Sequence, residues 1–192
     1  PNADDDAATV VEDSGANTIL VLANDEDVDG DSLVVSDVGT AEHGTVVNNG
    51  TDVSYTPDDD YCGSDSFEYT ASDGNGGTNT ATVTIDVTCV NDPPVAANDS
   101  YPATEDTPLV VNAADGVLDN DTDVDAGDAL TAVLVTGPAH AASFTLNPNG
   151  SFSYTPAANY CGPDSFTYKA NDGEADSNVA TVSLPVQGVN DP

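Results

Sequence analysis

Two acidic loops of closely similar sequence are the most prominent groups of side chains that could do chemistry in this chain. They span residues 24–31 and 120–128, and each carries carboxylates at alternate positions around a small residue. Carboxylates spaced this closely repel one another unless a cation lies between them. Because Lys169 is the only lysine or arginine, we expect that cation to come from solution. Ca²⁺, which takes six to eight oxygen ligands, suits such a turn. The predicted loop ligands are Asp25, Asp27, Asp29, Asp31, Asp121, Asp123, Asp125 and Asp128.

The loops differ from an EF-hand, the obvious alternative. Asp25, Asp27, Asp29 and Gly30 fit the first six positions of that motif. The twelfth position needs a bidentate glutamate, but it is Ser36 in the first loop and its counterpart in the second is Ala132. The flanking segments also have the pattern of strands. A second interpretation stays open, in which the acidic turns are only solvated, as on a halophilic protein.

The composition restricts the possible partners and locations. The formal net charge of −34 excludes a nucleic-acid-binding surface, which needs Lys and Arg to neutralise phosphates, and it argues against an anionic membrane surface. The sequence has no run of about 20 apolar residues, which a membrane-spanning helix would need. Self-repulsion of this size needs counter-ions, which favours an extracellular or cell-surface location, and a high-salt environment is the alternative. Disorder is the other outcome of such charge, but regularly alternating apolar residues argue against it.

The second half of the chain repeats the first, with small loop insertions. We therefore predict two homologous domains, residues 1–93 and 94–192. The chain ends in Val-Asn-Asp-Pro and begins with Pro-Asn, which together recreate the internal junction at 90–95, so we expect two periods of a longer array. The clearest matches are Ser-Tyr-Thr-Pro at 54–57 and 153–156, Tyr-Cys-Gly-x-Asp-Ser-Phe-x-Tyr at 61–69 and 160–168, and Val-Asn-Asp-Pro at 90–93 and 189–192.

Each repeat predicts short strands separated by turn signals. In the last strand of the first repeat, Ala81, Val83, Ile85 and Val87 alternate with polar residues. Seven short strands in about 95 residues are typical of an immunoglobulin-like sandwich. The predicted fold is therefore all-β, with two tandem Greek-key sandwiches joined by a short linker. The strands predicted in the first repeat are 7–11, 17–23, 32–38, 44–47, 51–56, 65–71 and 78–89.

The three cysteines leave two pairing states open. A sandwich brings Cys62 and Cys89 to the same end of the first domain, so a disulfide between them competes with two free buried thiols. Cys161 matches Cys62, but Gly188 stands where Cys89 would be. Cys161 is therefore either a buried apolar filler or a link to a neighbouring chain.

The sequence does not predict an enzyme. A nucleophile–base pair needs a histidine near a serine or cysteine and an orienting acid, and no such motif surrounds His43 or His140. A glycosidase-like carboxylate pair lacks any tryptophan to form a sugar platform. The acidic run at 58–60 corresponds to Ala-Ala-Asn at 157–159, so we interpret it as solvated surface.

The motifs resemble those of bacterial cadherin-like, Ig-like tandem repeats of large surface proteins and adhesins. That pattern has an early Glu-Asp pair, Asn-Asp-x-Asp-x-Asp-Gly-Asp-x-Leu, Tyr-Thr-Pro, Gly-x-Asp-Ser-Phe-x-Tyr, Asp-Gly and a closing Val-Asn-Asp-x-Pro. Its elements occur twice here and cover essentially the whole chain. The resemblance implies Ca²⁺ between successive domains.

Carried over residue by residue, the resemblance implies three sets of ligands. The Asp-Arg-Glu motif of true cadherins has no equivalent here, so we expect one ion per junction, or two at most. The inner junction would use Glu12, Asn91, Asp92, Asp123, Asp125, Asp128 and Asp172. Asp27, Asp29 and Asp73 would bind at the start of the chain, and Glu105, Asn190 and Asp191 would serve a following domain.

The predicted function is structural: an extracellular repeat segment that Ca²⁺ makes rigid, in the stalk or filament of an adhesin or surface protein. The expected partners are neighbouring repeats of the same protein, with self-assembly into fibres as an open extension. The alternative is a Ca²⁺-dependent module that binds a surface glycan or receptor, which exposed aromatic side chains on one face would favour.

Overall fold

The computed structural model describes residues 1–125, 127 and 129–190. The chain divides into two compact units, Pro1–Val90 (unit 1) and Asn91–Pro192 (unit 2), and each consists of two β-sheets. This confirms the all-β class and the tandem sandwiches. Within the described residues the only helical element is a short 3-10 turn, Ala113–Asp115, and none of the described helical structure is long and apolar enough to cross a membrane.

Unit 1 contains seven strands in two sheets. One sheet has the order β1-β7-β6-β3 and the other the order β2-β5-β4. Strand β1 runs parallel to β7, whereas the other paired strands are antiparallel. The strands are β1 (Asp6–Val11), β2 (Asn17–Ile19), β3 (Val34–Val38), β4 (Gly44–Asn48), β5 (Val53–Pro57), β6 (Gly63–Ser72) and β7 (Thr78–Thr88). The second strand was predicted too long, because a turn follows Ile19 in which Ala23 N donates to Leu20 O.

Unit 2 repeats this arrangement with a broken first strand. One sheet has the order β11-β14-β15-β8, with β9 also paired to β15, and the other has the order β10-β13-β12. Both β8 and β9 are parallel to β15. Pro102, which has no N–H to donate, lies between them. The strands are β8 (Asp99–Ser100), β9 (Ala103–Thr104), β10 (Leu109–Val111), β11 (Thr131–Thr136), β12 (Ala141–Leu146), β13 (Phe152–Pro156), β14 (Gly162–Asn171) and β15 (Ala180–Gln187).

Each core is built from alternating residues of the long strands. Val83 and Ile85 of β7 are fully buried, as are Val182 and Leu184 of β15. Four tyrosines are also fully buried and contribute large apolar rings: Tyr55, Tyr69, Tyr154 and Tyr168. Their hydroxyl groups find polar partners inside the sandwich, as a buried hydroxyl requires.

A buried aspartate in each unit explains the repeated Gly-x-Asp-Ser-Phe motif. Asp65 is 7% exposed. Its carboxylate accepts hydrogen bonds from the Tyr55 hydroxyl at 2.8 Å and from the backbone N–H groups of Glu42, His43 and Ser66 at 3.1, 3.0 and 2.8 Å. Asp164 accepts the equivalent four bonds in unit 2. The motif aspartate therefore ties the turn before β4 in unit 1, and the turn before β12 in unit 2, to the core.

The cysteines differ between the two units. Cys62 and Cys89 form a disulfide that joins the loop before β6 to the end of β7. Cys161 has a free thiol and is exposed. The interpretation of Cys161 as a buried filler is therefore wrong, because the loop before β14 turns this side chain toward solvent.

Candidate metal centres

An acidic cluster lies at the N-terminal end of unit 2; cluster 2 consists of Asn91, Asp92, Asp123, Asp125 and Asp172. Asn91 Nδ2 donates to Asp172 Oδ2 at 3.1 Å, and the backbone N–H of Asp92 donates to Asp125 Oδ2 at 2.8 Å. The N–H of Asp125 in turn donates to Asp123 Oδ1 at 3.0 Å. The first two residues of unit 2 thus contact both the acidic loop at 120–128 and the turn that contains Asp172.

The sandwich topology positions these groups. The loop that contains Asp123 precedes β11, and Asp172 follows β14, so both lie where their sheet ends. An isolated bridge holds the first segment of unit 2 against the acidic loop, with Val95 N donating to Thr122 O at 2.8 Å and Thr122 N to Val95 O at 3.1 Å. This end of the sandwich therefore brings together three sequence-distant segments.

Asp172 is held as an anion by its own turn. The N–H groups of Ala175 and Glu174 donate to Oδ1 at 2.7 and 2.6 Å. These two bonds, followed by the one from Asn91, lower the pKa of Asp172 against a small opposing effect of burial. Its carboxylate is thus ionised at neutral pH and is fixed in orientation.

Cluster 2 has the donor chemistry that a calcium ion needs. Asp123 Oδ2 is shielded from solvent and has no hydrogen-bond partner in the described part of the chain. A buried carboxylate oxygen without a partner is costly unless a cation neutralises it. The neighbouring donors are carboxylate oxygens and the Asn91 carboxamide. Rotation of that carboxamide would present its oxygen to the cluster in place of its nitrogen. An all-oxygen set of this kind fits Ca²⁺.

Unit 1 carries the equivalent group, cluster 1, which consists of Asp27, Asp29, Asp31 and Asp73. Asp27 Oδ1 accepts the N–H groups of Asp29 and Asp31 at 2.8 and 3.4 Å. Asp73 Oδ1 accepts those of Asn75 and Gly77 at 2.7 and 2.9 Å. Asn75 Nδ2 also donates to Asp31 Oδ2 at 2.9 Å, a link between two loops that the sequence motifs do not predict, because Asn75 is a neutral residue of a Gly-rich turn.

The amino group of Pro1 lies beside Asp27 of cluster 1. The α-ammonium of Pro1 is 3.0 Å from Asp27 Oδ2, and both side chains are more than nine-tenths buried. The hydrogen bond to Asp27 raises the pKa of this ammonium, and the charges of Asp73 and Asp29 add to it. The same contact lowers the pKa of Asp27. Only Asp27 contacts the amino group, and the charges of Asp29 and Asp73 add to the attraction, so the carboxylates of cluster 1 favour a positive charge near them.

Asp25 and Asp121 point elsewhere, although they belong to the same acidic loops. Asp25 Oδ1 accepts the Asp4 N–H at 2.9 Å, and both its oxygens are 2.9 Å from the Tyr69 hydroxyl. Asp121 contacts the Ala97 N–H at 2.8 Å and the Tyr168 hydroxyl at 3.0 Å. The structure therefore gives these two carboxylates hydrogen bonds to the core and to the first strand segment, and does not group them with the other loop acids.

Two further carboxylates accompany them, and the sequence analysis did not single these out. Asp6 lies by Asp25 and Tyr69, and Asp99 lies 3.4 Å from the Tyr168 hydroxyl. Burial raises the pKa of Asp6. Burial and the charge of Asp121 raise the pKa of Asp99 to about 6. Their only sequence signal is that an aspartate is the first residue of the first strand in each unit.

Asp99→Asn is expected to make the free energy of unfolding of unit 2 less dependent on pH. The folded pKa of about 6 exceeds the ordinary 3.8, so the stability that the Asp99 proton provides is complete below about pH 4 and is lost as pH rises through 6. We expect Asp99→Asn to gain about 1 kcal/mol over the wild type between pH 4 and 7, a value reduced for partial exposure. Urea unfolding at several pH values in a chelator measures it. Exposed Asp115→Asn is the control, and a wild-type slope in Asp99→Asn would contradict the assignment.

Glu12 and Glu105 lie at the other end of their units. They are 4% and 5% exposed, and the Oε1 atoms accept the backbone N–H groups of Val90 and Val189. Each glutamate thus ties its turn to the segment that leaves the last strand. Asn190 is exposed at the same end of unit 2. Asp128 and Asp191, also predicted as ligands, lie outside the described residues.

Sequence comparison assigns both units to repeat families. The model of the bacterial cadherin-like domain matches residues 91–188. The chain belongs to the bacterial cadherin-like family. The bacterial Ig domain matches residues 1–86, so this cadherin-like chain carries a tandem pair of related repeats. Comparison with curated proteins finds no match.

Solved cadherin structures share the fold of this cadherin-like chain. Drosophila N-cadherin EC1-4 is 16% identical, with 95% of this chain and 49% of that chain covered and a TM-score of 0.63. Protocadherin gamma B7 domains 1-4 are 17% identical, with 99% of this chain and 52% of that chain covered and a TM-score of 0.61. Mouse cadherin-23 EC22-24 is 21% identical, with 97% of this chain and 64% of that chain covered and a TM-score of 0.60. The chain spans about half the length of the first two, and identities this low show the fold alone.

Proposed function

We propose that this chain is a segment of an extracellular rod, in the stalk or filament of an adhesin or surface protein, and that Ca²⁺ at its domain junctions makes the rod rigid. Membership in the bacterial cadherin-like family supports a role as an extracellular structural repeat. A net charge of −34 supports a location where divalent cations are abundant, because the repulsion then has a counter-ion.

One observation carries the proposal: Asn91 and Asp92 are hydrogen-bonded to Asp172 and Asp125. The first residues of unit 2 therefore belong to the same cluster as its acidic loops. A cation held by that cluster would fix the direction in which the chain enters the domain.

The proposed ligands follow from the cluster and from the family pattern. Asp123, Asp125 and Asp172 would hold the ion together with Asn91 and Asp92. By the family pattern, Asp128 and the Glu12 carboxylate of the preceding repeat would complete the set. Bound Ca²⁺ would neutralise carboxylates that otherwise repel one another. In its absence the linker would have more freedom, and successive repeats would change their angle more easily.

Small-angle scattering with and without a chelator tests the mechanism. We expect the chelator to change the maximum dimension and to broaden the range of conformations. Asp123→Ala/Asp125→Ala should behave in Ca²⁺ as the wild type behaves in chelator, and its Ca²⁺ affinity by calorimetry should fall at least about thirtyfold, or about 2 kcal/mol. Asp58→Ala/Asp59→Ala removes the same charge from exposed positions and should change neither quantity.

Two results would refute the proposal in different ways. A maximum dimension that is the same with and without chelator would show that Ca²⁺ does not stiffen the chain. Recovery of the Ca²⁺-bound profile by KCl alone, without divalent ions, would show that general screening replaces a specific ion.

A further inference from the structure

One face of unit 2 lacks the acidic character of the rest of the chain. This neutral face is the outward side of β14 and β15, where side chains alternate with the buried core residues, together with Val133 of the neighbouring β11, which pairs with outward Lys169. It carries no carboxylate among these strand residues, although the chain has 35 acidic residues. The neutral face consists of Val133, Pro163, Ser165, Thr167, Lys169, Thr181, Ser183, Pro185 and Gln187.

The same face of unit 1 is acidic, so the difference is specific to one repeat. Glu68 and Asp86 point outward from β6 and β7, and their counterparts in unit 2 are Thr167 and Pro185. Opposite Thr70, β3 presents Asp37, whereas opposite Lys169, β11 presents Val133. Each outward acid of the three unit 1 strands is thus replaced by an uncharged residue. The only lysine of the chain also lies on this face.

An apolar edge borders the neutral face. Val133, Leu134 and Val135 are consecutive in β11 and are 44%, 45% and 48% exposed. In the described sheet β11 pairs on one side only, with β14. Exposed edge strands usually carry charges that prevent pairing with another chain, as Asp37 does in unit 1. An exposed apolar run on an edge without such a charge is typical of an interaction surface.

We propose that the neutral face binds the neutral face of a second copy of this chain, so that two copies associate laterally around a two-fold axis. Charge decides the occupant. Two chains of this net charge repel wherever carboxylates face each other. Because the neutral face has no carboxylate, two copies that meet through it avoid this repulsion.

The ion pair at the border of the face fits a two-fold contact. Lys169 Nζ lies 3.4 Å from Asp176 Oδ2, and both groups are partly exposed. In an isologous interface the same patch serves both copies, so a contact between Lys169 of one copy and Asp176 of the other would be made twice. This gives charge complementarity where the surrounding surface gives only repulsion. The apolar side chains of β11 then become buried, as at the centre of a packed sheet interface.

Sedimentation equilibrium tests the proposal with a matched pair of variants. Ser183→Glu places a carboxylate in the centre of the neutral face. Thr84→Glu adds the same charge at the equivalent position of unit 1, since Ser66 pairs with Thr84 as Ser165 pairs with Ser183. In Ca²⁺ and 0.15 M NaCl we expect the wild type to dimerise with a Kd below about 1 mM. Ser183→Glu should raise the Kd at least tenfold, and Thr84→Glu should change it less than twofold.

A second variant separates a lost contact from a lost fold. Thr167→Glu installs in unit 2 the residue that unit 1 already accommodates as Glu68, and it should weaken the dimer as Ser183→Glu does while leaving the thermal unfolding midpoint unchanged. A wild type that stays monomeric to 1 mM would overturn the proposal and leave the face to a partner of other chemistry. Equal weakening by Thr84→Glu would also overturn it, because the effect would then be general repulsion.

Discussion

Asp65→Ala should destabilise unit 1 by about 3–5 kcal/mol, the largest effect we expect from a single substitution in this chain. The change removes the acceptor of four hydrogen bonds. It leaves the buried Tyr55 hydroxyl and three backbone N–H groups without their partner, and each such group costs part of its desolvation free energy. For a domain whose total stability is about 5–15 kcal/mol, this is a large fraction.

Urea unfolding monitored by tyrosine fluorescence measures this loss. Asp164→Ala should have the same effect on unit 2, which contains the same four bonds. Asp58→Ala, at an exposed position, should cost less than about 0.5 kcal/mol. Although burial opposes it, bonding to Tyr55, Ser66, His43 and Glu42 lowers the pKa of Asp65. The Asp65 contribution should therefore persist above pH 4 and disappear as pH falls below the folded pKa. A loss under 1 kcal/mol would contradict this role.

Gly188→Cys should stabilise unit 2 by about 3 kcal/mol through a new disulfide. A Cβ atom added at Gly188 would lie 3.4 Å from Cys161 Cβ, close to the separation that a disulfide requires. The bond would close a loop with the same sequence separation of 27 that Cys62–Cys89 closes in unit 1. A loop of this length restricts the unfolded chain by about 3 kcal/mol. Conversely, Cys89→Ala should cost unit 1 a similar amount.

Thermal unfolding under oxidising and reducing conditions, with thiol titration, checks this prediction. The titratable Cys161 thiol should disappear in Gly188→Cys, and the gain in stability should vanish on reduction. Gly137→Cys is the control, since a Cβ atom there meets nothing within 4 Å, so it should add a second reactive thiol and no stability. Two titratable thiols in oxidised Gly188→Cys would refute the predicted geometry.

Much of the sandwich could be predicted from the sequence because its signals are local. The alternation in β7 directly predicts which side chains are buried. The position of a β-bulge is less visible. It falls between Val35 and Asp37 in β3 but between Leu134 and Thr136 in β11, so simple alignment pairs Asp37 with Leu134, whereas the sheets place Val133 in the position of Asp37. Both Val133 and Leu134 are uncharged, so the loss of the acid can be predicted from the sequence, but only the sheet pairing shows that Val133 is the residue opposite Lys169.

Only part of the arrangement of the candidate metal centres could be predicted from the sequence. The approach of Asp125 and Asp172 to the Asn91-Asp92 segment follows from which loops share one end of a sandwich. The direction of a side chain within its loop does not follow from spacing. Asp25 and Asp27 are two residues apart, yet the first contacts the core hydroxyl of Tyr69 and the second the ammonium of Pro1. The path of the backbone through the turn separates the two roles.

The parallel pairing of the first and last strands has a mechanical consequence. When a domain is pulled by its ends, neighbouring parallel terminal strands slide along each other, so their hydrogen bonds bear the load together instead of opening one by one. In unit 1 this ladder is continuous over six residue pairs, from Asp6↔Val83 to Val11↔Thr88. In unit 2 it consists of two pairs on each side of the Pro102 interruption. Under tension unit 2 should therefore yield before unit 1, which makes it the extensible member of the pair.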